Sequence, residues 1–216
     1  MEVVKQSHEV ISISNDVLGI IEKAGRTCYK SEDKITNDSS EKFVERLVKR
    51  VHHAMIEFGH ITVRFITNRG VTHELVRHRL CSFAQESTRY VKYDGGMQFI
   101  KPVWLSEELL GEYKLREIDP ILIPSDPEHI WLKALFEAEK SYISLLDKGW
   151  QPQQAREVLP NALKTEIVVS ANLREWRHIF NMRCAKSAHP QIVALMRPLL
   201  SELKEKVPIV FDDLIF

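Results

Sequence analysis

The chain has 216 residues, 30 Lys and Arg balance 30 Asp and Glu for a formal net charge of zero, and 44% of its residues are apolar. That length supports one sizeable core, and that composition belongs to a soluble globular protein rather than a disordered or fibrous one. Zero net charge argues against a general nucleic-acid binder, and no apolar run reaches the ~18–20 residues of a membrane span.

In chain order, residues 2–14 mix β-branched and polar side chains and read as a strand. Residues 17–26 read as a short helix with Val17, Leu18, Ile20 and Ile21 on its apolar face. Residues 31–40 are polar and loop-like, and Ser39 or Ser40 is placed to cap a helix over 41–58. In that helix Phe43, Val44, Leu47, Val48, Val51 and Met55 recur at spacings of three and four. Residues 61–67 alternate as a strand, Gly70 ends it, and 72–80 read as a helix. Residues 94–127 hold Gly95-Gly96 and four of the nine prolines, a loop region with a short helix near 106–115. Residues 130–146 are a helix stopped at Gly149. Residues 153–159 are a short helix, 165–170 a strand, and 173–183 a helix capped by Asn172. A last helix follows Pro190, with Pro198 a kink point. Strands and helices do not alternate regularly. The expected class is α+β, a single domain over residues 1–216 in which several helices pack a small, mostly antiparallel sheet.

The N-terminus lacks a basic region followed by an apolar stretch, so no signal peptide is expected. Cys28, Cys81 and Cys184 are odd in number and widely spaced, which fits reduced thiols in a cytoplasmic protein better than a metal or redox motif.

Residues 77–90 form the densest polar cluster, Arg-His-Arg-Leu-Cys-Ser-Phe-Ala-Gln-Glu-Ser-Thr-Arg-Tyr. Arginine presents a rigid fork of donors that matches phosphate or carboxylate oxygens, and hydroxyls with backbone amides complete a phosphate cradle. Arg77 and Arg79 flank His78, so the three reach different partners. A solvated charged face paired to Glu74 and Glu86 is the plainer alternative. A second basic group comprises Arg174, Arg177, His178 and Arg183, where helix-end electrostatics offers the plainer account. His52, His53 and His60 lack metal-ligand spacing, so no metal is expected. No nucleophile elbow, dinucleotide fingerprint or phosphate loop is present. Phe83, Tyr90 and Trp176 are available to stack on a ring, which keeps a nucleotide or single-stranded RNA binding module as an alternative.

The motifs taken together are specific. Arg77-His78-Arg79, seven residues, then Ser87 resembles the RHR-x7-S signature of the flavin-dependent thymidylate synthases, and Glu74-Leu75-Val76 and Thr88-Arg89-Tyr90 agree at its flanks. Arg26-Thr27-Cys28-Tyr29, the stretch from His52 to Glu57, Arg156-Glu157-Val158-Leu159-Pro160, Asn172-Leu173-Arg174 with Arg183, and Ala188-His189-Pro190 are similar to further blocks of that family in the same order.

The resemblance implies reductive methylation of deoxyuridine monophosphate (dUMP) to thymidine monophosphate (dTMP). Methylenetetrahydrofolate would give the carbon, and FAD reduced by NADPH the hydride. It implies a cofactor site from Arg77, His78, Arg79, Gln85, Asn172, Leu173, Arg174 and His178, with Glu57 and Ala54. It implies a nucleotide site from Glu74, Leu75, Val76, Arg77, Gln85, Glu86, Ser87, Thr88 and Arg89, closed by Arg156 and Arg183. Arg183 and Ser87 are the catalytic candidates. Arg183 acts electrostatically, since arginine stays protonated. Ser87 has no general base beside it in sequence, and its hydroxyl is read as a ligand for phosphate or substrate. A homotetramer with sites shared between subunits, in the cytoplasm and without membrane or nucleic-acid partners, completes the expectation. The chain departs from the family pattern at Cys28, Ala54, Phe58, Glu74 and Ala84.

Overall fold

The computed structural model describes residues 1–113 and 126–216. In chain order these build β1 (Glu2–Val4), β2 (Ser7–Ile13), α1 (Val17–Tyr29), α2 (Ser39–Lys49), β3 (His60–Asn68), α3 (Arg69–Leu75), β4 (Ser82–Gln85), β5 (Gln98–Ile100), β6 (Gly111–Glu112), α4 (Pro127–Asp147), α5 (Pro152–Ala155), β7 (Lys164–Asn172), α6 (Leu173–Arg183) and α7 (Pro190–Lys206). The class is α+β, as expected. The strands form two small sheets rather than one, ordered β5-β1-β6 and β2-β3-β7-β4. β1 is parallel to β5, with Glu2 opposite Gln98, and antiparallel to β6. Thr62 Oγ1 donates to Ser170 Oγ across 3.0 Å, and the Leu173 N–H donates to the Gly59 carbonyl, so β3 and β7 run antiparallel.

The chain forms two compact units. The first holds residues 1–7, 65–75 and 84–167, and the second residues 8–64, 76–83 and 168–216. In the first unit Met97, Phe99, Leu135, Tyr142, Ala155 and Leu163 make a buried cluster. α4 supplies Leu132, Leu135 and Tyr142 from one face, at helical spacing. Its start is fixed by Asp126, whose carboxylate accepts from the Glu128 and His129 amides, and by Pro127 in the first turn. Gly149 follows its end with φ +91°, a conformation that costs glycine nothing.

In the second unit the core gathers Ile21, Ile61, Val63, Trp176, Phe180 and Phe211, each essentially inaccessible. Gly59 lies so close to the start of α6 that a Cβ there would stand 2.6 Å from Leu173 Cδ1 and Val17 Cγ2. The C-terminal segment is tied down by Arg177, whose two terminal nitrogens donate to the two Asp213 oxygens at 2.6 and 2.7 Å and which also donates to the Val210 carbonyl. That hydrogen-bonded pair, with the Arg177 charge, holds the Asp213 carboxyl below its ordinary value against a partial burial penalty. A folded pKa below the unfolded one means stability that is present above about pH 4 and lost as pH falls through the folded value. We expect Asp213→Asn to lower stability to urea at pH 7, with the gap from the parent chain closing as the pH is lowered below about 4. Urea midpoints across that range check it.

Several local expectations need correction. The helix expected over 41–58 stops at Lys49. Val51 adopts φ +58°, the His52 amide bonds back to the Leu47 carbonyl, and the chain resumes as a 3-10 turn at Met55–Phe58. Val51 therefore faces solvent although its spacing fits the apolar stripe. Neither Ser39 nor Ser40 caps α2, because Ser39 lies inside it and its hydroxyl is spent on Glu22 and Thr36. The helix expected over 72–80 begins at Arg69, includes Gly70 and ends at Leu75. The helix expected near 106–115 is one 3-10 turn, Glu107–Leu109, and positions 114–115 lie outside the described residues.

Candidate active site

The signature follows α3 as a turn. His78 is buried while Arg77 and Arg79 on either side are exposed. Val76 and Leu80 are exposed as well, so His78 is the one side chain that this stretch turns inward. The turn is closed by the Cys81 amide bonding to the His78 carbonyl. It belongs to the second unit together with α6, and the two meet side chain to side chain. Arg183 Nε donates to His78 Nε2 at 3.0 Å. On the other side of the ring, Glu175 Oε1 stands 3.6 Å from His78 Nδ1. The His178 ring meets the His78 ring edge-on, with centroids 5.5 Å apart.

α6 begins with Asn172, whose carbonyl oxygen accepts from the Glu175 amide, as its sequence position predicts. The cap starts the helix so that Glu175 and His178, three apart, share a side, and Arg183 at the helix end reaches the same His78 ring. Burial, the Arg183 charge and His178 together depress the His78 pKa to about 4. The imidazole is therefore neutral at physiological pH, and its contact with Glu175 is not an ion pair. Cys81 lies in the same surroundings, and burial with the Glu175 charge pushes its thiol up to about 12, so it is no thiolate nucleophile. His78, Glu175 and His178 bring one ligand atom each within 4.8 Å of one another. The Arg183 guanidinium already bonds to this group, and its charge opposes a second cation.

Ala54 and Arg174 line a cavity of about 430 Å³ in the second unit, with Cys28, Tyr29, His52 and His53 among its other walls. That volume falls in the range of small-molecule sites. Arg174 Nη1 pairs with Glu57 at 2.6 Å, both half exposed. The buried His53 Nε2 has no protein partner. An apolar wall, a half-exposed cation paired with a carboxylate and an unsatisfied ring nitrogen suit an aromatic, anionic cofactor, so the donor set fits FAD. Leu173 is fully buried, and its amide bonds to Gly59.

The remaining nucleotide candidates lie mostly in the first unit. Gln85 donates to Thr72 Oγ1 at 3.0 Å and Thr165 Oγ1 at 3.4 Å. Glu86 accepts from the Tyr93 hydroxyl at 2.9 Å and lines a second cavity, of about 530 Å³, with Tyr93, Gly95, Gly96 and Lys164. Ser87 Oγ accepts from the Arg89 amide, and the Ser87 carbonyl accepts from the Tyr90 and Val91 amides, so this stretch is a tight turn. Arg89 extends over the Tyr90 ring, and Arg156 donates to Thr88 Oγ1 at 3.4 Å. Glu74 and Leu75 close α3, Leu75 buried, and Val76 follows it partly exposed.

Two expectations change. Trp176 is wholly buried, with its indole N–H on the Ile61 carbonyl at 3.0 Å, so it is core and not a stacking platform. Arg177 is buried in its pairing with Asp213 and does not join the basic surface. Glu175 escaped sequence reading altogether. Its one signal was the spacing of three to His178 in the turn after a capping asparagine.

Residues 9–209 match the family model described as thymidylate synthase complementing protein. The flavin-dependent thymidylate synthase of Corynebacterium diphtheriae is 34% identical over 208 residues, covering 95% of this chain and 82% of that protein. The enzyme of the same name from Corynebacterium efficiens is 36% identical over 199 residues, covering 90% and 78%. The crystal structure of a UMP/dUMP methylase, PolB from Streptomyces cacaoi bound with 5-Br dUMP, shares the fold, with a TM-score of 0.76 over 98% of this chain and 96% of that one at 21% identity. Among the described residues no helix is long and apolar enough to cross a membrane. The family match across the chain, with identities above 30% to these enzymes, places it in the flavin-dependent thymidylate synthase family, as a methyltransferase.

Proposed function

We propose that the chain converts dUMP to dTMP, with methylenetetrahydrofolate as carbon donor and NADPH as the reductant of its FAD. The observation that supports this most directly is the bond from Arg183 to a neutral His78 inside the signature turn. It holds a permanent cation at a fixed place through an acceptor that carries no charge. FAD, when bound, supplies the hydride. Ala54, Arg77, Arg79, Asn172, Arg174 and His178 hold it, with Glu57 as the counter-charge that Arg174 leaves for an anionic group.

The nucleotide carries a dianionic phosphate. Arg89, Arg156 and the Ser87 hydroxyl bind it, with charge-assisted donors. Gln85, Glu86, Thr88 and Glu74 complete the nucleotide contacts. Methylation at C5 requires an electron-rich uracil. Arg183 stabilises the negative charge that develops on the ring at N3 and O4, and it stays protonated throughout. Ser87 binds rather than attacks: its oxygen accepts from the Arg89 amide, and the sequence sets no general base beside it. Residues 1–216 act as one catalytic domain, working as a homotetramer in the cytoplasm and needing no metal and no nucleic-acid partner.

The test is a desalted preparation with added FAD. A retained two-banded flavin spectrum, with NADPH oxidation and dTMP formation that require both dUMP and methylenetetrahydrofolate, is the expected result. A colourless protein that forms no dTMP under those conditions would overturn the assignment.

A further inference from the structure

We infer that Glu175 is a positioning residue: it fixes the tautomer of His78 so that the imidazole, through Nε2, holds the Arg183 side chain in place. The argument begins with what each group can do. A guanidinium only donates hydrogen bonds. The 3.0 Å contact from Arg183 Nε therefore requires a bare lone pair on His78 Nε2. A neutral imidazole with a bare Nε2 carries its proton on Nδ1. Nδ1 faces Glu175 Oε1 at 3.6 Å, longer than a hydrogen bond, so the oxygen acts on an Nδ1–H by its electrostatic pull.

The alternative tautomer would point an N–H at the Arg183 N–H and leave a lone pair facing the carboxylate. Both contacts would then be repulsive. Histidine tautomers are commonly set in this way, by the partner of the nitrogen that is not in use. The three side chains are all restrained. His78 and Glu175 are buried, and Glu175 is seated in the first turn of α6 by the Asn172 cap on its amide. Among the described residues His178 meets the ring edge-on, burial raises the Glu175 carboxyl, and the Cys81 thiol near Glu175 stays neutral.

The consequence for the reaction rests on the function proposed above. A neutral acceptor fixes the guanidinium without itself adding a counter-charge. A carboxylate directly on Arg183 would cancel the guanidinium charge. With Glu175 placed one residue further away, orientation is obtained without setting the Glu175 carboxylate on the guanidinium.

The experiment reads the tautomer directly. Long-range proton–nitrogen correlation spectra of protein labelled with 15N-histidine, with His78 assigned through His78→Gln, distinguish a bare ring nitrogen from a protonated one. In the parent protein His78 is expected to show a bare Nε2 and a protonated Nδ1 from pH 8 down to pH 5. Glu175→Gln keeps an acceptor and should keep that pattern. Glu175→Ala should give a mixture of tautomers, and Glu175→Met serves as a second variant that fills the space without an acceptor. The kinetic counterpart is a kcat about tenfold lower in Glu175→Ala and Glu175→Met, with KM for dUMP little changed and kcat largely restored in Glu175→Gln. A protonated Nε2 in the parent protein, or an unchanged bare Nε2 in both acceptor-free variants, would overturn the inference. The spectra need no turnover. Failure of the proposed function would appear as a parent protein that makes no dTMP while its His78 tautomer still answers the question asked of Glu175.

Discussion

Arg183→Ala is expected to lower kcat for dTMP formation by about 10²–10³-fold, the usual cost of removing one donor aimed at developing charge. KM for dUMP should change far less, because the interaction is strongest when the uracil carries negative charge, not in the resting complex. The site geometry sharpens the expectation. Arg183 Nε is committed to His78 Nε2, so the side chain does not have to be ordered when substrate arrives. Arg183→Lys tests whether charge alone suffices. Lysine keeps a cation but loses the planar fork and the Nε donor, so it should recover only part of the lost rate. Steady-state kinetics with dUMP varied at saturating FAD, NADPH and folate separates the two constants. Near-parental kcat in Arg183→Ala would remove the electrostatic role from this residue.

The parts legible in the sequence are those set by local rules. Asn172 before a helical pattern and Gly149 after an apolar face mark ends that the structure confirms, whereas Pro127 behind Asp126, read as loop, opens α4 three residues before the expected start. Each depends on a cap or a backbone angle decided within a few residues. The break in α2 was not legible, because Val51 continues the apolar spacing and a β-branched residue gives no warning of a left-handed turn. The site divides in the same way. The arginines of the signature stand out by composition and by their resemblance to a family. Glu175 and Asp213 do not, since their meaning comes from partners 97 and 36 positions away, as the contacts Glu175 with His78 and Asp213 with Arg177 show. Arg177 reads on paper as one of a basic group and in the fold as a structural tie. Only tertiary packing distinguishes such a residue from Arg174, three positions earlier and exposed.

Trp176 carries the largest stability effect we expect. It is fully buried, stacks at a tilt on Phe180 with centroids 5.8 Å apart, and reaches the Ile61 carbonyl through its indole nitrogen at 3.0 Å. Phe180 in turn meets Phe211 edge-on at 5.7 Å, so removal of the indole loosens a chain of aromatic contacts reaching the C-terminal segment. Trp176→Ala should cost about 3–5 kcal/mol, from lost transfer energy and the cavity left behind. Trp176→Phe keeps much of the packing but removes the hydrogen bond to the Ile61 carbonyl, and should cost about 1–3 kcal/mol. Urea unfolding followed by far-ultraviolet circular dichroism measures both. The indole is next to Glu175 in sequence, yet it points into the core while the carboxylate faces His78. A folded fraction of Trp176→Phe should therefore keep the bare Nε2 of His78, because the contacts that set the tautomer lie on the other side of α6. Equal stability of Trp176→Ala and the parent chain would show that this core does not hold the helix that carries Arg183.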